Sequence, residues 1–576
     1  MRPRCNVIPR RLILLGCALV SAGCASSVFQ RDSEEALENL AKSNTPLISD
    51  YAHPYGLNYV KVESVALVTG LDGTGGDPPQ SPQRAALLDE MAREQVDEPN
   101  KVLRSDETSL VLLRGFLPPG VQKGDTFDLE VRTPRRSNTT SLRGGWALPA
   151  RMTELAVLGQ TIRSGHVWAT GEGAILVDPS ADAEEDAAVA TRGRILGGGK
   201  ALKSRPLGLV IAEDHQSIRM AQQIAKSISD RFQTYEDGRK LGVAEAKTEE
   251  FIELRMHPRY KDNISRYVRV VRSLPTRESE TAKQERLVLL ETQLLDPLTA
   301  ASAALRLEAL GDEQAIAKLL VGTESTDAEV RFYAAEALAY LDQTEGVAAL
   351  AEAARDEPAF RAHALTALSA MDDVVAYEAL RSLLGSESAE TRYGAFRALW
   401  AMNPSDPLIR GETLGGTFGY HVLDAGGPAM VHVTRSGRPE IVVFGGEQEF
   451  QLPMVLDAGS DILVNGLTGK EVTVSRFRAN QATRKRTVTT SVDEVIRAIV
   501  EVGGDYPDVV QALQQAKRDG ALAGRFRVDA IPRSGRAYWR DDDSEEDDDG
   551  DEESTDAMDE SYRVGTPLPD LFSAKK

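Results

Sequence analysis

Arg331-Phe332-Tyr333-Ala334-Ala335-Glu336-Ala337-Leu338-Ala339-Tyr340-Leu341 sets a pattern that returns twice further along the chain. Counted from Arg331, the residues Ala334, Leu338 and Leu341 lie at +3, +7 and +10. Ala364, Leu368 and Met371 follow Arg361 at the same offsets, and Ala395, Leu399 and Met402 follow Arg392. A worn earlier copy runs Ala300, Ala303, Leu307, Leu310, so the period is 31, 30 and 31 residues. Steps of three and four place these side chains on one helix face. A second helical stretch trails three of the copies, at 313–320, 346–354 and 374–384. A unit of this size cannot bury its apolar face alone and must stack on its neighbours. Residues 289–405 therefore read as an all-α solenoid. The repeated arginines, Arg331, Arg361 and Arg392, have two open readings: packing between helices beside a carboxylate, or contact with a partner.

On either side of this block the periodicity changes to short β-like runs punctuated by glycine. Val62 to Val68 leads into Gly70-Leu71-Asp72-Gly73-Thr74-Gly75-Gly76-Asp77, followed by a proline-rich turn and a helix near 83–94. Strands are predicted at 109–114, 126–132 and 166–177, and beyond the repeats at 430–434, 440–444, 462–464 and 472–477. Val509, Val510, Leu513 and Ala516 share a helix face that ends at Gly520. The glycine loop is no phosphate cradle, because no Gly-Lys-Ser/Thr follows it; Gly199-Lys200 runs into Ala201.

The N-terminus has the order of an export signal: Arg2, Arg4, Arg10 and Arg11, then an apolar stretch from Leu12 to Val20, then Ser21-Ala22-Gly23-Cys24. Small residues before Cys24 make it a candidate lipidation site, giving a lipoprotein-type signal over 1–23. Ser21 stands where an aliphatic residue is usual. Leu14-Leu15-Gly16-Cys17 fits locally but leaves almost no apolar segment ahead of it. An ordinary cleaved signal with Cys24 as a free thiol is the alternative. All three cysteines, Cys5, Cys17 and Cys24, lie in this leader, so no internal disulfide is available downstream. No later stretch is apolar enough to span a bilayer. Between Asp541 and Glu560 stand 14 acidic residues without a Lys or Arg, which is two thirds of the formal charge of −21. Such a run is expected to be disordered. The remainder is only mildly acidic and carries no basic stripe of the kind nucleic acid requires.

Val68-Thr69-Gly70-Leu71-Asp72-Gly73-Thr74-Gly75 resembles the glycine-rich signature of bacterial flagellar P-ring proteins. Leu117-Pro118-Pro119-Gly120 with Lys123-Gly124-Asp125 resembles a second segment of that family, and Ser141-Leu142-Arg143-Gly144-Gly145 a third. Leu209 to Ile211 with Ala221 to Ile228 is similar to its strand and amphipathic helix, and Val492 to Val528 to its closing segment. Residues 289–405 resemble HEAT repeats, which typical P-ring proteins lack. The sequence also departs from typical members in having no cysteine for their disulfide. The resemblance implies a homo-oligomeric ring in the periplasm, around the flagellar rod, adjoining the outer-membrane L-ring and associated with peptidoglycan.

The expected fold is α+β and multidomain: a tether (24–58), a P-ring-like region (59–288), the HEAT-like solenoid (289–405), a β-rich region with closing helices (406–535) and an acidic tail (536–576). The solenoid reads as an insertion projecting from a ring-forming body towards an unknown protein partner. The seven histidines show no metal-ligand spacing, and no nucleophile elbow is present. No catalytic residue, cofactor, metal or nucleic-acid partner is expected. Basic clusters at Arg135-Arg136 and Arg484-Lys485-Arg486 read as solvated surface or as contacts to an acidic polymer or neighbouring subunit. Two functions compete: a non-catalytic P-ring subunit lipid-anchored at the outer membrane, and a lipid-anchored interaction scaffold in a non-flagellar envelope complex.

Overall fold

Alternating inward and outward residues close the first body on itself. The computed structural model describes residues 45–158, 161–177, 187–236, 238–478, 482–538 and 564–572; the leader, Cys24 and the acidic run 541–560 lie outside them. After β1 (Ala52–Tyr55) come β2 (Val60–Thr69), β3 (Ser109–Leu117), β4 (Thr126–Arg132), β5 (Trp146–Leu158), β6 (Thr161–Ala174) and β7 (Arg192–Ala201). These six form a closed barrel in the order β2-β3-β4-β7-β6-β5. On β4 the buried residues are Phe127, Leu129 and Val131, two apart as a half-buried strand requires. With Val62, Leu113 and Met152 they pack the interior, so the barrel is a filled core, not a cup.

The second body follows in sequence: β8 (Leu207–Ile211), a hairpin of β9 (Gln233–Glu236) and β10 (Arg239–Gly242), then β11 (Ala244–Ala246) and β12 (Phe251–Leu254). Its sheet runs β1-β8-β12-β11. The helix Ile218–Arg231 starts on Ser217, whose side chain accepts the Met220 N–H, and buries Ala221, Ile224, Ala225 and Ile228. Arg205 ties this body to the barrel by donating to the carbonyls of Asn58 (2.7 Å) and Pro118 (3.0 Å).

The repeats fold as the spacing predicts. Helices Ala300–Leu310, Ala328–Tyr340, Arg361–Ser369 and Ala389–Met402 are the first members, and Glu313–Thr323, Val347–Asp356 and Val374–Leu383 the second. Asp312, Asp327, Asp373 and Ser388 cap four of them with side-chain oxygens. The first members carry alanine on most faces and are buried nearly all round, as in Ala328–Tyr340.

The last body holds β13 (Glu412–Leu414), β14 (Phe418–Leu423), β15 (Met430–Val433), β16 (Glu440–Phe444), β17 (Met454–Ala458), β18 (Ile462–Gly466), β19 (Glu471–Arg476), β20 (Arg484–Thr489) and β21 (Arg525–Val528). They form a mixed sheet, β13-β14-β16-β15-β21, and a four-stranded sheet, β17-β18-β19-β20. β16 is buried along its whole length. Its period of two sends Val442 and Phe444 into the core of the repeats, and Ile441 and Val443 into a second core under the helices Val492–Glu501 and Tyr506–Arg518.

The core that begins at Ile48 in the second body runs unbroken through the repeats to Phe444. The expectation of a projecting insertion therefore does not match the packing: the second body lies along the repeats, with Arg259 paired to Asp342 at 3.0 Å and Lys261 donating to the Ala401 carbonyl at 3.1 Å, and the last body covers the final repeat. Residues 564–572, within the stretch read as tail, also pack on the repeats, with Val564 and Phe572 in the same core.

Burial in this core holds two histidines neutral. Desolvation lowers His363 and His432 to about 3. An unfolded chain binds those protons below about pH 6.5, so stability falls as pH drops from there towards 3, by up to about 1.4 kcal/mol per pH unit for each group. In urea titrations from pH 7 to pH 4, His363→Leu is expected to flatten this loss relative to the parent chain; an unchanged slope contradicts the assignment.

Candidate functional site

The glycine-rich motif starts where β2 ends and folds across one mouth of the barrel. Leu71 N–H donates to the Glu107 carbonyl (3.1 Å), Gly75 N–H to that of Asp106 (2.7 Å) and Gly76 N–H to that of Thr108 (3.0 Å). Gly70 and Gly73 take positive φ, at 78° and 69°. Gly75 is needed for a different reason: a Cβ there would stand 2.2 Å from the Thr108 carbonyl oxygen.

The Ser141–Gly145 motif lies on the same mouth. Thr74 Oγ1 donates to the Ser141 carbonyl (2.9 Å), and Thr140 N–H to the Thr74 carbonyl (2.8 Å). Leu71 and Leu142 enter the barrel core, while Gly144 turns the chain with φ of 75°. Gly145 leaves room for Val68, whose Cγ1 a Cβ would meet at 2.6 Å. Arg143 N–H is held by Ser141 Oγ at 3.2 Å. The structure thus brings Gly70, Leu71, Gly73, Thr74, Gly75, Ser141, Leu142, Arg143, Gly144 and Gly145 together as one plug. Its hydrogen bonds run mostly backbone to backbone, with Thr74 and Ser141 adding their hydroxyls, which is a means of fixing loop shape.

The repeat arginines share one role in the fold. Arg331 donates to the carbonyls of Ser325 (3.0 Å) and Thr326 (2.7 Å), just past the helix Glu313–Thr323. Arg361 donates to those of Ala354 (3.0 Å) and Arg355 (3.3 Å), and pairs with Glu390 at 3.1 Å. Arg392 reaches the Leu384 (2.7 Å), Gly426 (3.0 Å) and Pro428 carbonyls. Each places a cation at the C-terminal end of the preceding helix, where carbonyls lack intrahelical partners and the dipole is negative. Arg392 extends the same contact into the following β-rich body.

The strongest electrostatic feature was not visible in the spacing. Arg266, on the helix Ile264–Arg272 of the second body, meets Glu308 (2.5 Å) and Glu336 (2.6 Å) from two successive repeats, all three side chains being at most 1% exposed. Tyr260 donates to Glu308 at 2.7 Å, and Tyr340 lies under the guanidinium at 4.5 Å. Arg231 donates to the Glu308 and Ala309 carbonyls, both at 2.9 Å. Burial outweighs the Arg266 charge and leaves the Glu308 carboxyl above its ordinary range. The only sequence signal for these carboxylates was an acid inside an otherwise apolar run, as in Ala334-Ala335-Glu336-Ala337-Leu338. The far end has a counterpart: Glu440 of β16 accepts from Tyr393 (2.8 Å) and pairs with Arg397 (3.4 Å).

Among the described residues no three His, Cys, Asp or Glu side chains converge as a metal-holding group, and no helix is long and apolar enough to cross a membrane. Arg135, Arg136 and the stretch Arg484–Arg486 are exposed, the last on β20, where Arg486 pairs with Glu501 at 2.9 Å.

Removing Arg266 leaves two carboxylates buried without their cation. Arg266→Met is expected to cost about 3–5 kcal/mol, read as a fall in the urea midpoint; a change below about 1 kcal/mol contradicts the ionic joint.

Comparison with known proteins agrees with this partition. Residues 48–292 match the family model described as Flagellar P-ring protein, which takes in the barrel and the second body. Residues 316–400 match the HEAT repeats model. The Flagellar P-ring protein of Nitrosospira multiformis is 30% identical over 168 residues, which is 28% of this chain and 42% of that relative. The chain thus spans less than half the length of this curated relative. The resemblance read in Val492 to Val528 lies beyond the matched residues. Residues 48–292 are therefore similar to flagellar P-ring proteins, and residues 316–400 to HEAT repeats.

Proposed function

We propose that this chain is a non-catalytic structural subunit of a flagellar basal-body P-ring. In this reading copies assemble as a homo-oligomeric bushing around the rod in the periplasm, beneath the L-ring and against peptidoglycan, with Cys24 as a lipid anchor to the outer membrane. The observation that carries the reading is the coincidence of the P-ring family match with the barrel and its plug. The motif residues at 70–75 and 141–145 are engaged in closing a filled barrel, which suits a rigid building block and leaves them no substrate to face. The HEAT repeats add a second rigid element whose outer surface is offered to a further protein partner.

Electron microscopy of purified basal bodies carrying a labelled chain tests the assignment. The label is expected as a ring around the rod at the level of the cell wall, and cells without the chain should lose motility. Label recovered only in envelope fractions free of basal bodies, with motility intact, contradicts it.

A further inference from the structure

Beyond the helical repeats, one described segment sits in a built groove with a long span of chain leading to it. Residues 564–572 lie along the junction of the second body and the first repeats. Gly565 N–H donates to the Tyr333 hydroxyl (2.8 Å), and Arg266 Nη1 donates to Thr566 Oγ1 (2.9 Å). Asp570 accepts the Ile264 N–H at 2.8 Å, capping the helix that carries Arg266, and its own N–H donates to the Asp262 carbonyl at 2.8 Å. Val564, Pro567, Pro569 and Phe572 are buried, whereas Leu568 faces out. This segment supplies a hydrogen-bond partner to the buried arginine of the ionic joint and a cap to its helix. The groove is therefore specific for it.

The described residues before the acidic run end at Tyr538, whose ring lies 4.6 Å from Phe360; Phe360 in turn lies 6.3 Å from Tyr333, which binds Gly565. The two points are thus separated by the width of a few side chains. The 25 residues from 539 to 563 can reach about 80 Å when extended, at ~3.3 Å each. Fourteen of them are acidic. The connection is several times longer than a local return needs.

We propose that residues 564–572 are an exchangeable strap: in an assembly, the segment of one copy docks in the Arg266–Tyr333 groove of a second copy. Copies held side by side raise the local concentration of each strap at its neighbour's groove, so exchange adds linkage without a new contact. The proposal rests on the ring reading only in requiring adjacent copies.

Disulfide trapping tests it. A Cβ at Gly565 would stand 2.9 Å from the Ala301 Cβ, within about an ångström of disulfide spacing. Two differently tagged full-length chains, each keeping its leader and Cys24, are co-expressed, and a pair without added cysteines gives the background of Cys24-linked species. One carries Ala301→Cys and the other Gly565→Cys, and their oligomeric state is followed by mass photometry. Exchange predicts disulfide-linked pairs bearing both tags within the oligomers, and deletion of 541–560 should reduce them by about ten-fold. In a single chain carrying both cysteines, that deletion should still permit internal closure. Oligomers that yield only internally closed chains overturn strap exchange and leave the ring reading standing. A chain that stays monomeric at every concentration overturns both.

Discussion

A stack of helix pairs has two apolar ends, and both must be covered before the stack is stable in water. In this molecule the covers are not polar terminal repeats but two sheet-bearing bodies, one lying along the repeats and one on the last of them, and the whole arrangement depends on those two junctions. At the first, the helix Ile264–Arg272 drives Arg266 between Glu308 and Glu336, with Tyr260 stacked on Tyr340 at 4.9 Å. At the second, β15 and β16 lay one face against the last helix of the stack. His432 stacks on Tyr393 at 3.8 Å, and Glu440 takes the Tyr393 and Arg397 donors.

The two junctions share a chemistry. Each buries a carboxylate among donors supplied by the opposite partner, inside a core that is otherwise alanine, leucine and aromatic. A buried carboxylate is tolerated only where its donors are in place, so each pair fits in one position along the helix and no other. Apolar packing alone would allow a helix of alanines to slide by a turn; the ionic groups remove that freedom. The arginines Arg331, Arg361 and Arg392 serve the same end inside the stack, each tying a helix to the open carbonyls of the one before it. The barrel contributes a third rigid unit, closed at one mouth by the 70–75 and 141–145 loops and touching the last body through Asp128, which accepts from Gly197 and Gly437.

Local pattern made much of this legible. The period of 30 to 31 residues located the helices, because the rule that buries positions +3 and +7 acts within one element. The alternation in residues 472–477 likewise marked Val472 and Val474 as the buried face of β19. The glycines at 70, 73 and 144 were legible as turns, because positive φ favours that residue. What spacing could not convey was the closing of distance between bodies. Arg266 and Glu308 are 42 positions apart and Arg266 and Thr566 are 300 apart, and nothing in either neighbourhood names the other. The same blindness made the solenoid read as an appendage: its ends looked like boundaries in composition, whereas in space its core continues into both neighbouring bodies.

The central claim is that the repeats and the two bodies share one core. Hydrogen exchange after replacing 289–405 with a short Gly/Ser linker tests it most directly. The account predicts that Ile264–Arg272 and Glu440–Phe444 lose their protection, since each has lost the surface it was buried against, while the barrel strands keep theirs. Protection retained at both segments at the level of the intact chain would contradict it, and would show that the repeats are a separable module.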